Sequence, residues 1–225
     1  MPIINLVYEA PREWKPWANT IAYWSLDGVD TDYTWNYNMT VAPSSYQTLS
    51  SWKKVWQFSW YKAETVPDGI WTATFNRWNM TMSFWYRPTV TTMTMVFYFE
   101  WSGSWRNAEI DTYWDRIEFR LWNWSNWQWT VSASTTIIAN TWYHIVLTYN
   151  GSKFQLYCNW TAIWTATSLT YPTWSWDNRC VLWYSWWTGL PNKNIMLWDF
   201  IIENKARTAQ EISDYYNQTK SDYWL

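Results

Sequence analysis

The chain has 225 residues, 48% apolar and 15% charged, with a formal net charge of −2. That is enough for one well-buried domain, and the near-neutral balance excludes the basic patch of a nucleic-acid binder and the charge runs of a disordered chain. No stretch approaches the roughly 18 consecutive apolar residues of a membrane span, and Met1-Pro2-Ile3-Ile4-Asn5 does not open like an ordinary signal peptide.

Residues 1–20 read as an irregular N-terminal arm, with Pro2, Pro11 and Pro16 and no sustained period. Residues 21–225 read as a single domain. Period-2 and apolar runs separated by turn chemistry predict strands over 20–26, 37–41, 54–61, 80–87, 93–100, 106–112 and 115–121. The same pattern continues over 128–133, 143–149, 153–158, 161–166, 179–184 and 195–203. Asn150-Gly151 between Tyr149 and Lys153 is a hairpin signal, because both central residues of a type I′ turn need positive φ. One helix is predicted: Thr208-Ala209-Gln210-Glu211 has the form of a capping box, and Ile212, Tyr215 and Tyr216 make one apolar face. The expected fold is therefore all-β, a two-sheet antiparallel jelly-roll sandwich with one short C-terminal helix.

The chain holds 27 Trp and only 5 Gly, whereas ordinary usage gives about 16 Gly in this length. Many indoles sit beside Asn, as in Trp35-Asn36, Trp78-Asn79, Asn123-Trp124, Asn126-Trp127 and Asn159-Trp160. Those are sites where a turn asks for Gly and a bulky residue is strained. Most of these Trp letters are thus expected to stand for Gly, as in a lineage that reads UGA as glycine. Trp85 and Trp142, each among strand formers, read as true tryptophans. A Trp-rich adhesive protein is the alternative.

Ile21-Ala22-Tyr23-Trp24-Ser25-Leu26-Asp27-Gly28 and the following Asp32-Tyr33-Thr34-Trp35-Asn36 resemble the opening of laminin-G-like jelly-roll domains. Met80 through Pro88, Thr141 through Gly151, Leu156 through Trp160, and Asp199 through Ile212 are similar to later strands and the closing helix of the same concanavalin A-like lectin/glucanase superfamily. The likeness covers residues 21–218. At two of these places, Trp35 and Trp160, Trp stands where the family has Gly.

The resemblance implies a non-catalytic binding or adhesion module for a glycan or surface protein ligand, located outside the cell, on its surface or on a virion. A structural part assembled into a phage particle or cell surface is the second reading, and a glycoside hydrolase of the same fold the third. No enzyme activity is expected. Glu109-Ile110-Asp111 is the nearest approach to the hydrolases' carboxylate strand, but Tyr113 and Trp114 stand where a second Glu would be. Glu109 and Asp111 are therefore expected as a solvated strand edge, and the single His144 as a satisfied structural residue. A structural Ca²⁺ is expected at Asp32 and Asp199, which match the family by position; Asp27, Asp30 and Asn36 add oxygens nearby. Whether Cys158 and Cys180 pair is left open.

Overall fold

Alternating side chains along each strand give this chain its two faces, and the faces decide the architecture. The computed structural model describes residues 18–26, 33–34, 36, 39–40, 45–48, 54–58, 63–65, 79–91, 94–101, 105–122, 127–165, 178–182 and 195–223. One antiparallel sheet runs β13 (Thr161–Thr165), β12 (Phe154–Cys158), β11 (Tyr143–Tyr149), β6 (Met80–Pro88), β15 (Ile195–Glu203), β4 (Lys54–Phe58) and β3 (Ser45–Thr48). The strand β1 (Thr20–Trp24) joins it by pairing with the second half of β15. The other sheet runs β10 (Trp127–Ser134), β9 (Arg116–Trp122), β8 (Trp105–Thr112), β7 (Thr94–Trp101), β14 (Asn178–Leu182), β5 (Ala63–Thr65) and β2 (Met39–Thr40).

Each predicted strand has its counterpart. Two short ones, β3 and β5, escaped the sequence pattern: Ser45-Tyr46-Gln47-Thr48 and Ala63-Glu64-Thr65 offer too few apolar residues to show a period. Of the expected arm, residues 1–17 lie outside the described residues.

The sheets close on each other through aromatic rings. Phe84 of β6 lies 5.9 Å from Phe97 of β7 and 5.5 Å from Phe200 of β15, and Phe97 and Phe200 are 5.4 Å apart. A second contact joins Phe119 of β9 to Phe154 of β12 at 5.1 Å. The Tyr86 and Thr112 hydroxyls, 2.7 Å apart, hydrogen-bond from one sheet to the other, so the phenol enters the core without an unmade bond.

The helix α1 (Ala209–Thr219) and a following 3-10 turn (Lys220–Tyr223) cover the opposite face of the first sheet. Thr208 caps α1: its hydroxyl accepts from the Glu211 N–H, while the Glu211 carboxylate accepts from the Thr208 N–H at 2.9 Å. Ile212, Tyr215, Tyr216 and Tyr223 are buried against the sheet. Hence β6 and β11 are buried on both sides: Phe84 and Ile145 face the core, and Trp85, His144 and Val146 face the helix segment.

The β11–β12 hairpin turns at Asn150-Gly151 as expected, but of the pair only Gly151 takes positive φ, so the two left-handed residues of a type I′ turn are not found there. Gly151 has φ 87°, and the Asn150 side-chain oxygen accepts from the Ser152 and Lys153 N–H groups. The next hairpin, β12 to β13, turns on Asn159 and Trp160 with φ of 47° and 62°. Trp160 thus occupies the left-handed region that favours Gly, and it is 45% exposed. Trp114, at the β8–β9 tip, is 64% exposed. Trp24, Trp85, Trp142 and Trp198 are all enclosed.

Candidate binding face

On β8 and β9 alternation sends Ala108, Ile110, Ile117 and Phe119 into the core. Glu109, Asp111, Glu118 and Arg120 therefore project from the opposite face of the second sheet. The register sets Glu109 across from Arg120 and Asp111 across from Glu118. A carboxylate absent from the Glu109 strand is thus supplied by its neighbour. Nothing in the local sequence signalled this, because Glu118 reaches Asp111 only through strand pairing.

Arg120 gathers the three acids. Its Nη1 lies 3.0 Å from Glu109 Oε1 and 2.9 Å from Asp111 Oδ2, and its Nη2 donates to Glu118 and, at 2.7 Å, to the Tyr113 hydroxyl. Arg116 donates to Glu118 at 2.7 Å and to Asp115 at 2.8 Å, and its guanidinium lies 3.8 Å over the Tyr113 ring. Ser132 of β10 donates a further bond to Glu118 at 2.8 Å.

The expectation of a solvated strand edge is corrected. Glu109 and Asp111 are wholly buried, because an acid paired with a planar cation across the strand can lie beneath it. Burial works to raise the Glu118 pKa, but the bonds from Arg116, Ser132 and Arg120 outweigh it and hold the carboxyl below its ordinary value. Glu118 is thereby kept as a carboxylate acceptor, the opposite of what a general acid in glycoside hydrolysis needs. What faces outward is a layer of Tyr113, Arg116 and Arg120 anchored from below, with the exposed Ser132 and Ser134 beside it.

The remaining candidates fall elsewhere. Asp32, Asp27 and Asp30 lie outside the described residues, and Asn36 is exposed, donating to Thr34 Oγ1 at 3.3 Å. Asp199 sits at an irregularity of β15 with φ 48°. Its carboxylate is buried and accepts from the Tyr23 hydroxyl at 2.6 Å and the Tyr215 hydroxyl at 2.9 Å. Such a carboxylate is a hard oxygen donor of the kind Ca²⁺ takes. Among the described residues no group of three or more His, Cys, Asp or Glu clusters to hold a metal.

Cys158 is a free thiol, and burial pushes its pKa up to about 12. It belongs to the first sheet and Cys180 to the second. His144 is buried, but the expectation of a satisfied histidine is corrected: neither ring nitrogen has a hydrogen-bond partner among the described residues.

Residues 59–213 match the laminin-G-type profile of the concanavalin A-like lectin/glucanases superfamily. No curated protein sequence matches the chain. Among solved structures, the fold is similar to botulinum neurotoxin type C, whose cell entry depends on interaction with two ganglioside molecules (TM-score 0.69, 16% identity). It is also similar to the serotype D/C binding domain (0.73, 16%) and to the DC binding domain in complex with rat synaptotagmin II (0.69, 17%). Each match covers 89% of this chain, which spans only about half of the matched structures, 51 to 52% of their length. The family match and the two facing antiparallel sheets agree, and the chain belongs to the concanavalin A-like lectin/glucanases superfamily as a laminin-G-like jelly roll.

Proposed function

We propose that this domain is a non-catalytic binding module for a carbohydrate or surface ligand, and that the outer face of β8, β9 and β10 carries the site. The observation behind this reading is the pair of guanidiniums, Arg116 and Arg120, held beside Tyr113 by acids buried underneath. Fixed donors and an aromatic face suit sugar hydroxyls and rings, and prepaid side-chain order favours binding. A glycan array tests it. Binding that falls at least about tenfold in Arg116→Gln, the loss of about one charge-assisted hydrogen bond, supports the site. The absence of binding to any glycan favours the second reading, a structural part of a phage particle or cell surface.

We further propose that most Trp letters stand for Gly encoded by UGA. What supports this is Trp160, exposed at φ 62° in the second position of an Asn-led hairpin turn. The gene provides the test: UGA is expected at positions 124 and 160 and UGG at 85 and 142, and UGG at all four ends the idea.

A structural Ca²⁺ on Asp32 and Asp199 is also proposed, on the buried oxygen donors of Asp199. Chelation is expected to lower the melting temperature, with Ca²⁺ restoring it, and Asp199→Asn to abolish the difference. A melting curve indifferent to Ca²⁺ in the unsubstituted chain removes the metal.

A further inference from the structure

The single histidine of the chain lies under the C-terminal segment. His144 faces Trp85 across the β11–β6 ladder, with ring centroids 5.1 Å apart, and lies 5.1 Å from Tyr215 and 6.2 Å from Tyr216 of α1. Among the described residues both its ring nitrogens lack a hydrogen-bond partner, as do Ser83 Oγ, Trp85 Nε1 and the Tyr223 hydroxyl. Aromatic rings hold it, and none of them offers a carboxylate.

The charges around it make protonation still harder. Arg207, from the loop entering α1, is the charged group that acts on His144; it is fixed by Glu203 and lies 5.3 Å over the Tyr215 ring. Among the described residues, Glu203 is engaged by Arg207 and Asp199 by the Tyr23 and Tyr215 hydroxyls, while Asp222 lies beside Tyr223 at the far end of the segment. Burial raises the pKa of Tyr23, Tyr215, Tyr216 and Tyr223, so these phenols stay neutral and supply no compensating charge. An imidazolium here would have two N–H donors facing rings and a like charge nearby.

Something must yield when a proton arrives, and the connectivity identifies it. On one side of His144 are β6 and β11, each paired on both edges. On the other is a segment docked through the side chains of Ile212, Tyr215, Tyr216 and Tyr223. We propose that His144 is an acid-sensitive latch: its protonation releases the segment Ala209–Tyr223 from the sheet and uncovers the aromatic row Trp85, Trp142 and Trp198.

The direction follows from linkage. Burial first, and Arg207 second, depress the docked imidazole's pKa to about 3 from 6.5. Docking is then unaffected by this group above pH 6.5 and loses stability as the pH falls from 6.5 toward 3. Glu203, whose pKa burial raises, loosens its hold on Arg207 in the acid part of the same range.

Hydrogen exchange, corrected for intrinsic rates, tests the latch in the whole chain. The opening equilibrium of the α1 amides is expected to rise about tenfold per pH unit below 6.5 while β6 and β11 amides keep their protection. In His144→Phe the part of that dependence nearest pH 6.5 is expected to vanish, leaving only what Glu203 and Glu211 contribute in more acid solution. Should that variant fail to fold, the imidazole NMR signal of the unsubstituted chain decides alone, since it is the only histidine. Protonation that coincides with helix opening supports the latch. A signal titrating near pH 6.5 with α1 still protected overturns it, as does an unchanged pH profile in His144→Phe.

Discussion

At the scale of the residue, position 160 separates two explanations of an indole. Trp160 is half-exposed at φ 62°, and its ring touches Tyr216 at a centroid distance of 4.3 Å. A simple substitution to Gly would mix relieved strain with that lost contact. Comparing Gly with Ala removes the ambiguity, because both delete the indole. At an ordinary strand or helix position Ala exceeds Gly by about 0.5–1 kcal/mol. Here the left-handed backbone reverses the order, and Trp160→Gly is expected to be more stable than Trp160→Ala by about 1 kcal/mol. Urea midpoints measure the difference, and Ala equal to or above Gly would contradict the turn. Trp85, wholly enclosed, responds in the opposite sense: truncation there is expected to cost about 3–5 kcal/mol. The Asn-Trp pairing that marked position 160 was visible in the sequence because hairpin turns are chosen by two adjacent residues. The enclosure of Trp24 and Trp198 was not, because burial depends on what lies across the molecule.

At the scale of the element, α1 combines a local signal with a distant support. The capping box was legible because its hydrogen bonds span three residues. Thr208→Ala is expected to lower stability by about 1 kcal/mol, seen as a drop of about 2–4 °C in melting temperature for a chain this size. Glu211, the other half of the box, brings a pH dependence. Its bond from Lys205, followed by the Thr208 N–H, lowers its pKa to about 2 from 4.5. With the folded value depressed, its contribution is complete above pH 4.5 and is lost as the pH falls toward 2. The stability gap between the unsubstituted chain and Glu211→Gln is accordingly expected to close over that interval, as read from melting temperatures at successive pH values. A gap that persists at pH 2 would assign the Glu211 effect to packing. What α1 covers was illegible: no local rule places a helix at residue 209 over a histidine at residue 144.

At the scale of the whole molecule, the β8–β9 face depends on Arg120 as the common partner of three acids. Removing one member of a buried ion network leaves the others without compensation. Arg120→Met is expected to cost about 3–5 kcal/mol near neutral pH, with the loss shrinking in acid as Glu118, whose carboxyl its bonds hold below the ordinary value, takes up its proton. Denaturant unfolding at pH 7 and pH 4 checks both parts, and a cost independent of pH would mean that packing of the Arg120 stem, not its charge, holds the face. Arg116, more open to solvent, is the gentler probe of ligand binding.

The sequence by itself determined the class of fold, most of the strands, the Asn150-Gly151 turn and the capped helix, since alternation, turn chemistry and capping act between residues a few positions apart. Tertiary structure decided who faces whom. Pairing put Glu118 beside Asp111, placed β15 between β6 and the β1 and β4 strands, and brought α1 over His144. Register and layer packing join residues far apart along the chain, so the charges of the candidate face and the burial of the histidine exist only once both sheets have closed.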